Sequence, residues 1–206
     1  MKRHIVLILT IMCMSAFCGC KEEPTDAKPV IYLYPQEETL VSVKLDYTGE
    51  ITATYPAYND GWEVIAKPDG SLYDPKENRE YYCLFWEGIP EGEYDLSSGF
   101  VVPGNETEAF LEEALATLGL TQWEANEFII YWLPRMEENA YNLISFQGDA
   151  YTDHAQLDSH PQPDSVLRVF MAWKGLDEPV EVEPQALKEF RRSGFTVVEW
   201  GGAEIN

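Results

Sequence analysis

The stretch "NETEAFLEEALATLGLTQWEANEFIIYWLP", residues 105–134, decides the fold, because within it the apolar spacing changes from every second residue to every third or fourth. Asn105 with Glu108 three positions on has the form of a capping box. Phe110, Leu111, Ala114, Leu115 and Leu118 make an apolar stripe, and Gly119 supplies a stop. Thr121 with Glu124 repeats the box and opens a second helix, which Pro134 is expected to end. Trp123 and the run Phe128 to Leu133 make that helix apolar on most sides, so the pattern predicts that it packs between other elements.

On either side of the two helices the period is two. In "TLVSVKLDY", residues 39–47, Val41, Val43, Leu45 and Tyr47 alternate with Ser42, Lys44 and Asp46, as in a half-buried strand. "ITATY" resumes the alternation after Thr48 and Gly49, which predicts a hairpin with Ile51, Ala53 and Tyr55 inward. Trp62 and Val64 begin another strand that turns at Pro68, Asp69 and Gly70. In "EYYCLFW", residues 80–86, both alternate sets are apolar, which predicts one strand covered on both faces with Cys83 inside it, its thiol made inert by burial. "NLISF", "SVLRVFMAW" and "FTVVEW" return to strand after the helices. Helices inserted between groups of strands without strict alternation indicate an α+β fold, with antiparallel or mixed sheet and a sandwich-like N-terminal half.

The chain starts with Lys2, Arg3 and His4, followed by thirteen residues, Ile5 to Phe17, that are apolar apart from Thr10 and Ser15. A membrane helix needs roughly 20 apolar residues, so this run has the length and flank of a secretory signal instead. At its end Phe17, Cys18, Gly19 and Cys20 resemble the lipobox of bacterial lipoproteins, with small Gly19 before Cys20. That resemblance implies a signal peptide over residues 1–19, lipidation of Cys20 and a protein held at the cell membrane or outer membrane, facing out of the cytoplasm. "KEEPTDAK" completes a polar tether over residues 20–28, and residues 29–206 are expected to form one globular domain.

Loss of residues 1–19 removes Lys2 and Arg3 and no acid, taking the formal net charge from −22 to −24. Nucleic acid is excluded as a partner by the lack of any Lys/Arg cluster to displace counterions, whereas cationic partners and divalent cations are favoured. The mature chain keeps only Cys20 and Cys83, so no disulfide framework supports it and the core must do so.

"KPVIYLYP", "GWEVIAKPDGSLYD" with "YYCLFWEG", and "GFTVVEWGG" are similar to blocks shared by an uncharacterised family of bacterial secreted proteins and lipoproteins. The resemblance implies one cooperative unit over nearly the whole mature chain and carries over no catalytic residue.

Two stretches have the composition of a site. "GDAYTDHAQLDSHPQPD", residues 148–164, holds Asp149, Asp153, His154, Asp158, His160 and Asp164. Imidazole and carboxylate are ligands that Zn²⁺ or Mn²⁺ accepts, which makes His154, His160, Asp153 and Asp158 the candidate metal set on a surface loop and a divalent cation the one candidate cofactor. Its spacing matches neither HExxH nor an EF-hand. In "YPAYNDGW", residues 55–62, Tyr55, Tyr58 and Trp62 flank Asn59 and Asp60, a combination that stacks on sugar rings and bonds their hydroxyls, although sheet cores use the same aromatics. Glu124 and Glu127 share a helix face, and Glu87 follows a buried strand, so these carboxylates form a weaker candidate acid and base. Ser97 and Ser98 in "LSSGF" lack the nucleophile elbow.

With no spaced nucleophile, base or phosphate loop, the pattern points away from an enzyme. It indicates an outward-facing binding or interaction module whose partner is the membrane through its lipid, together with a glycan or an envelope protein. The rival readings are a metal-dependent hydrolase using Asp149 to Asp164 and a structural subunit of an envelope complex.

Overall fold

The computed structural model describes residues 25–205; the expected signal peptide and Cys20 lie outside them. Strands β1 (Ala27–Tyr34), β2 (Thr39–Tyr47), β3 (Gly49–Tyr55), β4 (Trp62–Ala66), β5 (Leu72–Asp74), β6 (Arg79–Tyr81), β7 (Leu84–Pro90) and β8 (Ser98–Pro103) come first. Helices α1 (Thr107–Leu118) and α2 (Gln122–Met136) follow, then β9 (Tyr141–Gln147), the single turn α3 (Asp149–Thr152), β10 (Ala155–His160), β11 (Ser165–Leu176), β12 (Glu183–Pro184) and β13 (Thr196–Glu204). One sheet has the order β12-β8-β9-β11-β13-β1-β7-β3 and the other β10-β2-β4-β5-β6. The larger sheet is mixed, with β11 parallel to β13 and β12 parallel to β8; every other pair is antiparallel. The fold is α+β, with a sheet-rich N-terminal half and both long helices ahead of the C-terminal strands.

Strand pleat divides the interior into two cores. Val30 and Tyr32 of β1, Val169, Met171 and Trp173 of β11, and Val198 and Trp200 of β13 face the helices, where they meet Leu111, Leu115, Phe128 and Trp132. The intervening Ile31, Leu33, Phe170, Ala172 and Val197 face the smaller sheet and meet Val41, Val43, Trp62 and Val64. A helical layer, a central sheet and a covering sheet result, so the central strands are apolar on both faces.

Several expectations need correcting. The hairpin at Thr48 and Gly49 is absent: β2 pairs with β4 and β10 in the smaller sheet, whereas β3 pairs with β7 in the larger. Within β3 the ladder shifts between Ile51 and Ala53, and Tyr55 ends outward and half exposed. The strand expected over residues 80–86 is two strands, because the chain leaves the smaller sheet after Tyr81 and joins the larger at Leu84. Cys83 lies at that crossing, buried, and its thiol is pushed up to about 12, mainly by burial. The loop expected over residues 149–164 contains β10, paired with β2 from Ala155 opposite Tyr47 to His160 opposite Ser42.

The first helix starts at Thr107 without a side-chain cap, so the Asn105 box does not form. A 3-10 turn, Gly104–Glu106, precedes it, and the buried Thr107 hydroxyl bonds to Pro103 and Asn142. Gly119 does end the helix, in a left-handed conformation with φ 99°. The second box is complete: Glu124 N–H donates to Thr121 Oγ1 at 3.3 Å and Thr121 N–H to Glu124 Oε2 at 2.7 Å. Thr121→Ala is therefore expected to lower unfolding free energy by about 1 kcal/mol in a urea titration. Pro134 lies inside α2, which continues to Met136. The proline deprives only the Ile130 carbonyl of a donor, and water can replace it there because Ile130 is 74% exposed. Helix α2 is an outer element packed along Ala125, Phe128, Trp132 and Met136, with Trp123 and Ile130 in solvent. No helix among the described residues is long and apolar enough to cross a membrane.

The end of the expected tether is structured. Asp26 is fully buried, its backbone pairs with Gly88, and β1 begins at the next residue. Its side chain explains the burial: the carboxylate accepts from Tyr94 Oη at 2.5 Å and Tyr47 Oη at 2.8 Å.

Candidate functional site

The proposed metal ligands do not come together. His154 and His160 lie at opposite ends of β10, separated by about 20 Å at strand rise, while Asp153 and Asp158 are exposed. His154 Nε2 lies 2.9 Å from Tyr94 Oη and 3.8 Å from Asp26 Oδ2, and His160 sits at the sheet edge. Asp149 is exposed, and Asp164 accepts from Phe195 N–H at 2.7 Å. Among the described residues no group of three or more His, Cys, Asp or Glu side chains is placed to hold a metal ion.

The aromatic stretch at residues 55–62 is occupied by packing. Tyr58 Oη accepts from Leu45 N–H at 2.8 Å and donates to Leu45 O at 3.1 Å, and Trp62 Nε1 donates to Pro56 O at 2.9 Å. The Tyr58 and Trp62 rings meet edge to face at 4.6 Å, and Trp62 is core. Tyr55 packs instead on Tyr81, with the Arg79 guanidinium over both rings. Asn59 and Asp60, at the turn, are exposed. Ser97 Oγ bonds to Asp95, and Glu87 receives Lys28 N–H, so both are committed to local structure.

An aromatic cleft of about 570 Å³ lies elsewhere, lined by Tyr32, Tyr34, Tyr82, Trp123 and Arg192 together with the turn Asp69–Gly70–Ser71. Tyr32 and Tyr34, alternate residues of β1, put their rings on the helix side with centroids 6.3 Å apart and planes within 11°. Their hydroxyls are fixed from α2: Tyr32 Oη donates to Glu127 Oε2 at 2.7 Å and Tyr34 Oη to Glu124 Oε1 at 2.8 Å. The two carboxylates expected to share a helix face thus hold the cleft's back wall.

Glu124 is fully buried and is clamped by Arg192, whose Nη1 donates to Oε1 at 3.0 Å and whose Nη2 meets Oε2. Burial alone would raise its pKa, but the Arg192 bonds, the Thr121 N–H and the Arg192 charge outweigh that and hold it low. Arg192 Nη2 also donates to Gly119 O at 2.9 Å, tying the late segment to the end of α1. The tyrosine hydroxyls shift the other way, raised first by burial and then by the neighbouring glutamate.

The open side is formed by Trp123, 69% exposed, and Tyr82, 54% exposed. Trp123 is presented by the first turn of α2, and Tyr82 by the passage between sheets, where no strand pairing buries it. Opposite them, Ser71 N–H and Oγ donate to Asp69 Oδ1 at 3.0 and 2.7 Å and lower its pKa. Gly70 takes φ 88°, and a Cβ there would stand 2.7 Å from Tyr34 Cε1, so the turn closes on the tyrosine only with glycine.

Sequence reasoning found Glu124 and Glu127 but assigned the aromatics elsewhere. Two tyrosines spaced by two in an otherwise aliphatic strand were the available signal; nothing near Arg192 points to Glu124, 68 residues away.

No protein-family model matches the chain, and no solved structure matches it. A Butyrivibrio fibrisolvens protein described as "Uncharacterized protein in bglA 3'region" is 41% identical over 95 residues, which span 42% of this chain and 97% of that relative. With nearly all of that relative covered at this identity, the chain belongs to the same family as the uncharacterised Butyrivibrio fibrisolvens protein.

Proposed function

We propose that this chain is an extracytoplasmic lipoprotein, anchored through Cys20, that binds a ligand in the aromatic cleft. The observation that carries the binding reading is the exposure of Trp123 and Tyr82 at the mouth of a cavity whose back wall, Tyr32 and Tyr34, is already fixed by Glu127 and Glu124. A large apolar ring left in water is a cost that packing normally removes, and two together beside a preformed cavity suit a site that a ligand covers. The anchor reading rests on the basic start, the short apolar run and Gly19–Cys20. Because Asp26 is clasped by Tyr47 and Tyr94, five residues, Lys21 to Thr25, separate the lipid from the folded body, a reach of at most about 18 Å. The cleft would then work close to the membrane surface.

Cys20→Ala is expected to move the protein from the membrane fraction to the soluble fraction of its host and to abolish incorporation of labelled palmitate. Retention in the membrane by the variant would refute the anchor. For the cleft, the paired variant Tyr82→Ala/Trp123→Ala is expected to unfold within about 0.5 kcal/mol of the parent, since both side chains are surface groups. It should lose whatever saturable binding a small-molecule and glycan panel reveals in the parent.

A further inference from the structure

Most polar groups at the back of the cleft are already spent on one another or on neighbouring backbone, and this restricts what fits. Tyr32 and Tyr34 give their hydroxyl protons to Glu127 and Glu124, Ser71 gives its own to Asp69, and Arg192 is divided between Glu124 and Gly119 O. A sugar, which needs donors and acceptors matched to several hydroxyls, would find few groups free to answer it. What remains available is the Trp123 indole N–H, the Tyr82 hydroxyl, the faces of aromatic rings and an excess of negative charge. Asp69, Glu124 and Glu127 are opposed by Arg192 and by Lys67, whose charge reaches Asp69. Glu127 has no ion-pair partner among the described residues. A phenol that donates its proton to a carboxylate also gains electron density, which deepens the negative potential over the ring. The chain's net charge of −22 adds a long-range field of the same sign.

We propose that the cleft binds a small organic cation, a compound with a quaternary or tertiary ammonium head of about the size of choline, seated against Trp123, Tyr82 and the tyrosine wall. This rests on the reading of the cleft as a ligand site. The volume of about 570 Å³ is that of a small-molecule pocket, not of a protein interface. Ammonium groups bind aromatic faces more tightly as water is removed from them, and a part-enclosed cleft removes it.

The test uses the purified full chain and calorimetric titration with choline against 3,3-dimethylbutan-1-ol, its uncharged isostere. The expected result is saturable choline binding at least about ten-fold tighter than the isostere. Trp123→Leu and Asp69→Asn should each weaken it several-fold at unchanged Tm, and Trp123→Phe, which restores a ring, should recover most of it. Phosphatidylcholine vesicles, offered in parallel, separate a dissolved cation from a lipid headgroup: capture of vesicles in preference to free choline places the source in the membrane. Equal affinity for the isostere, or binding of neutral oligosaccharides lost on Trp123→Leu, would overturn the cationic assignment and leave the ligand-site reading standing. Failure of every probe to bind a folded parent would overturn the cationic assignment, and a silent small-molecule and glycan panel as well would end the ligand-site reading.

Discussion

Arg168→Met is expected to lower unfolding free energy by about 3 to 5 kcal/mol, a large part of the 5 to 15 kcal/mol that holds a typical domain together. Arg168 Nε donates to Glu199 Oε2 at 2.7 Å and Nη2 lies 2.5 Å from the same oxygen, with the Arg168 side chain 9% exposed and that of Glu199 1%. Glu199 stands on β13 between buried Val198 and Trp200, and methionine would leave its charge buried without a counterion. Trp86 Nε1 at 3.1 Å and Tyr151 Oη at 3.0 Å still donate to it, but neutral donors do not replace a cation. The guanidinium also lies over the Tyr151 ring at 4.7 Å, a contact that goes with it. For a chain of this length the loss converts to a fall in Tm of roughly 6 to 20 °C, read by circular dichroism. Removing both charges in Arg168→Met/Glu199→Leu should recover part of the loss; a double variant as unstable as the sum of the singles would show that the pair does not interact as described.

The second large effect depends on pH. Asp26 is pushed up to about 6 from an ordinary 3.8, chiefly by burial; the Tyr94 and Tyr47 bonds temper the rise and the Glu199 charge adds to it. A carboxyl whose folded value exceeds its unfolded one is more costly to ionise in the fold, so the contribution of Asp26 to stability falls as pH rises from about 4 to about 6. The gap corresponds to up to about 3 kcal/mol. His154, facing the same carboxylate, acts oppositely: burial lowers its pKa, so protonation below its ordinary 6.5 destabilises the fold. Asp26→Asn separates the two. The amide can accept from one tyrosine and donate to the other, and its stability relative to wild type should rise between pH 4 and pH 7 by up to about 3 kcal/mol. A difference between the two proteins that stays flat across this range in urea titrations would mean that Asp26 ionises as freely in the fold as out of it.

Much of the architecture is readable in the chain, and the unreadable parts have a common cause. Alternation in Val41, Val43 and Leu45 says which side of a strand is buried, and these residues are buried. It does not say which sheet the strand joins, so β2 and β3, consecutive and alike in pattern, looked like a hairpin although they lie in different sheets. The Thr121 box is readable because cap and partner are three residues apart. Asp26 is not, because the hydroxyls that bury it come from Tyr47 and Tyr94, 21 and 68 residues away, and its own surroundings read as a polar tether. The cleft fails for the same reason: β1, the turn at Gly70, Tyr82, the start of α2 and Arg192 meet only in the folded chain.

In the central sheet β13 is an inner strand although it follows the other described strands in sequence. β13 lies between β11 and β1, pairing along one side from Ser165 opposite Thr196 and along the other as far as Tyr34 opposite Thr196. During synthesis β1 to β12 therefore emerge before the strand that seals both cores, and until β13 arrives β1 and β11 each present an open edge. A chain that has not yet reached residue 196 therefore lacks the strand that joins both halves of the larger sheet, and termination before that point leaves no stable product.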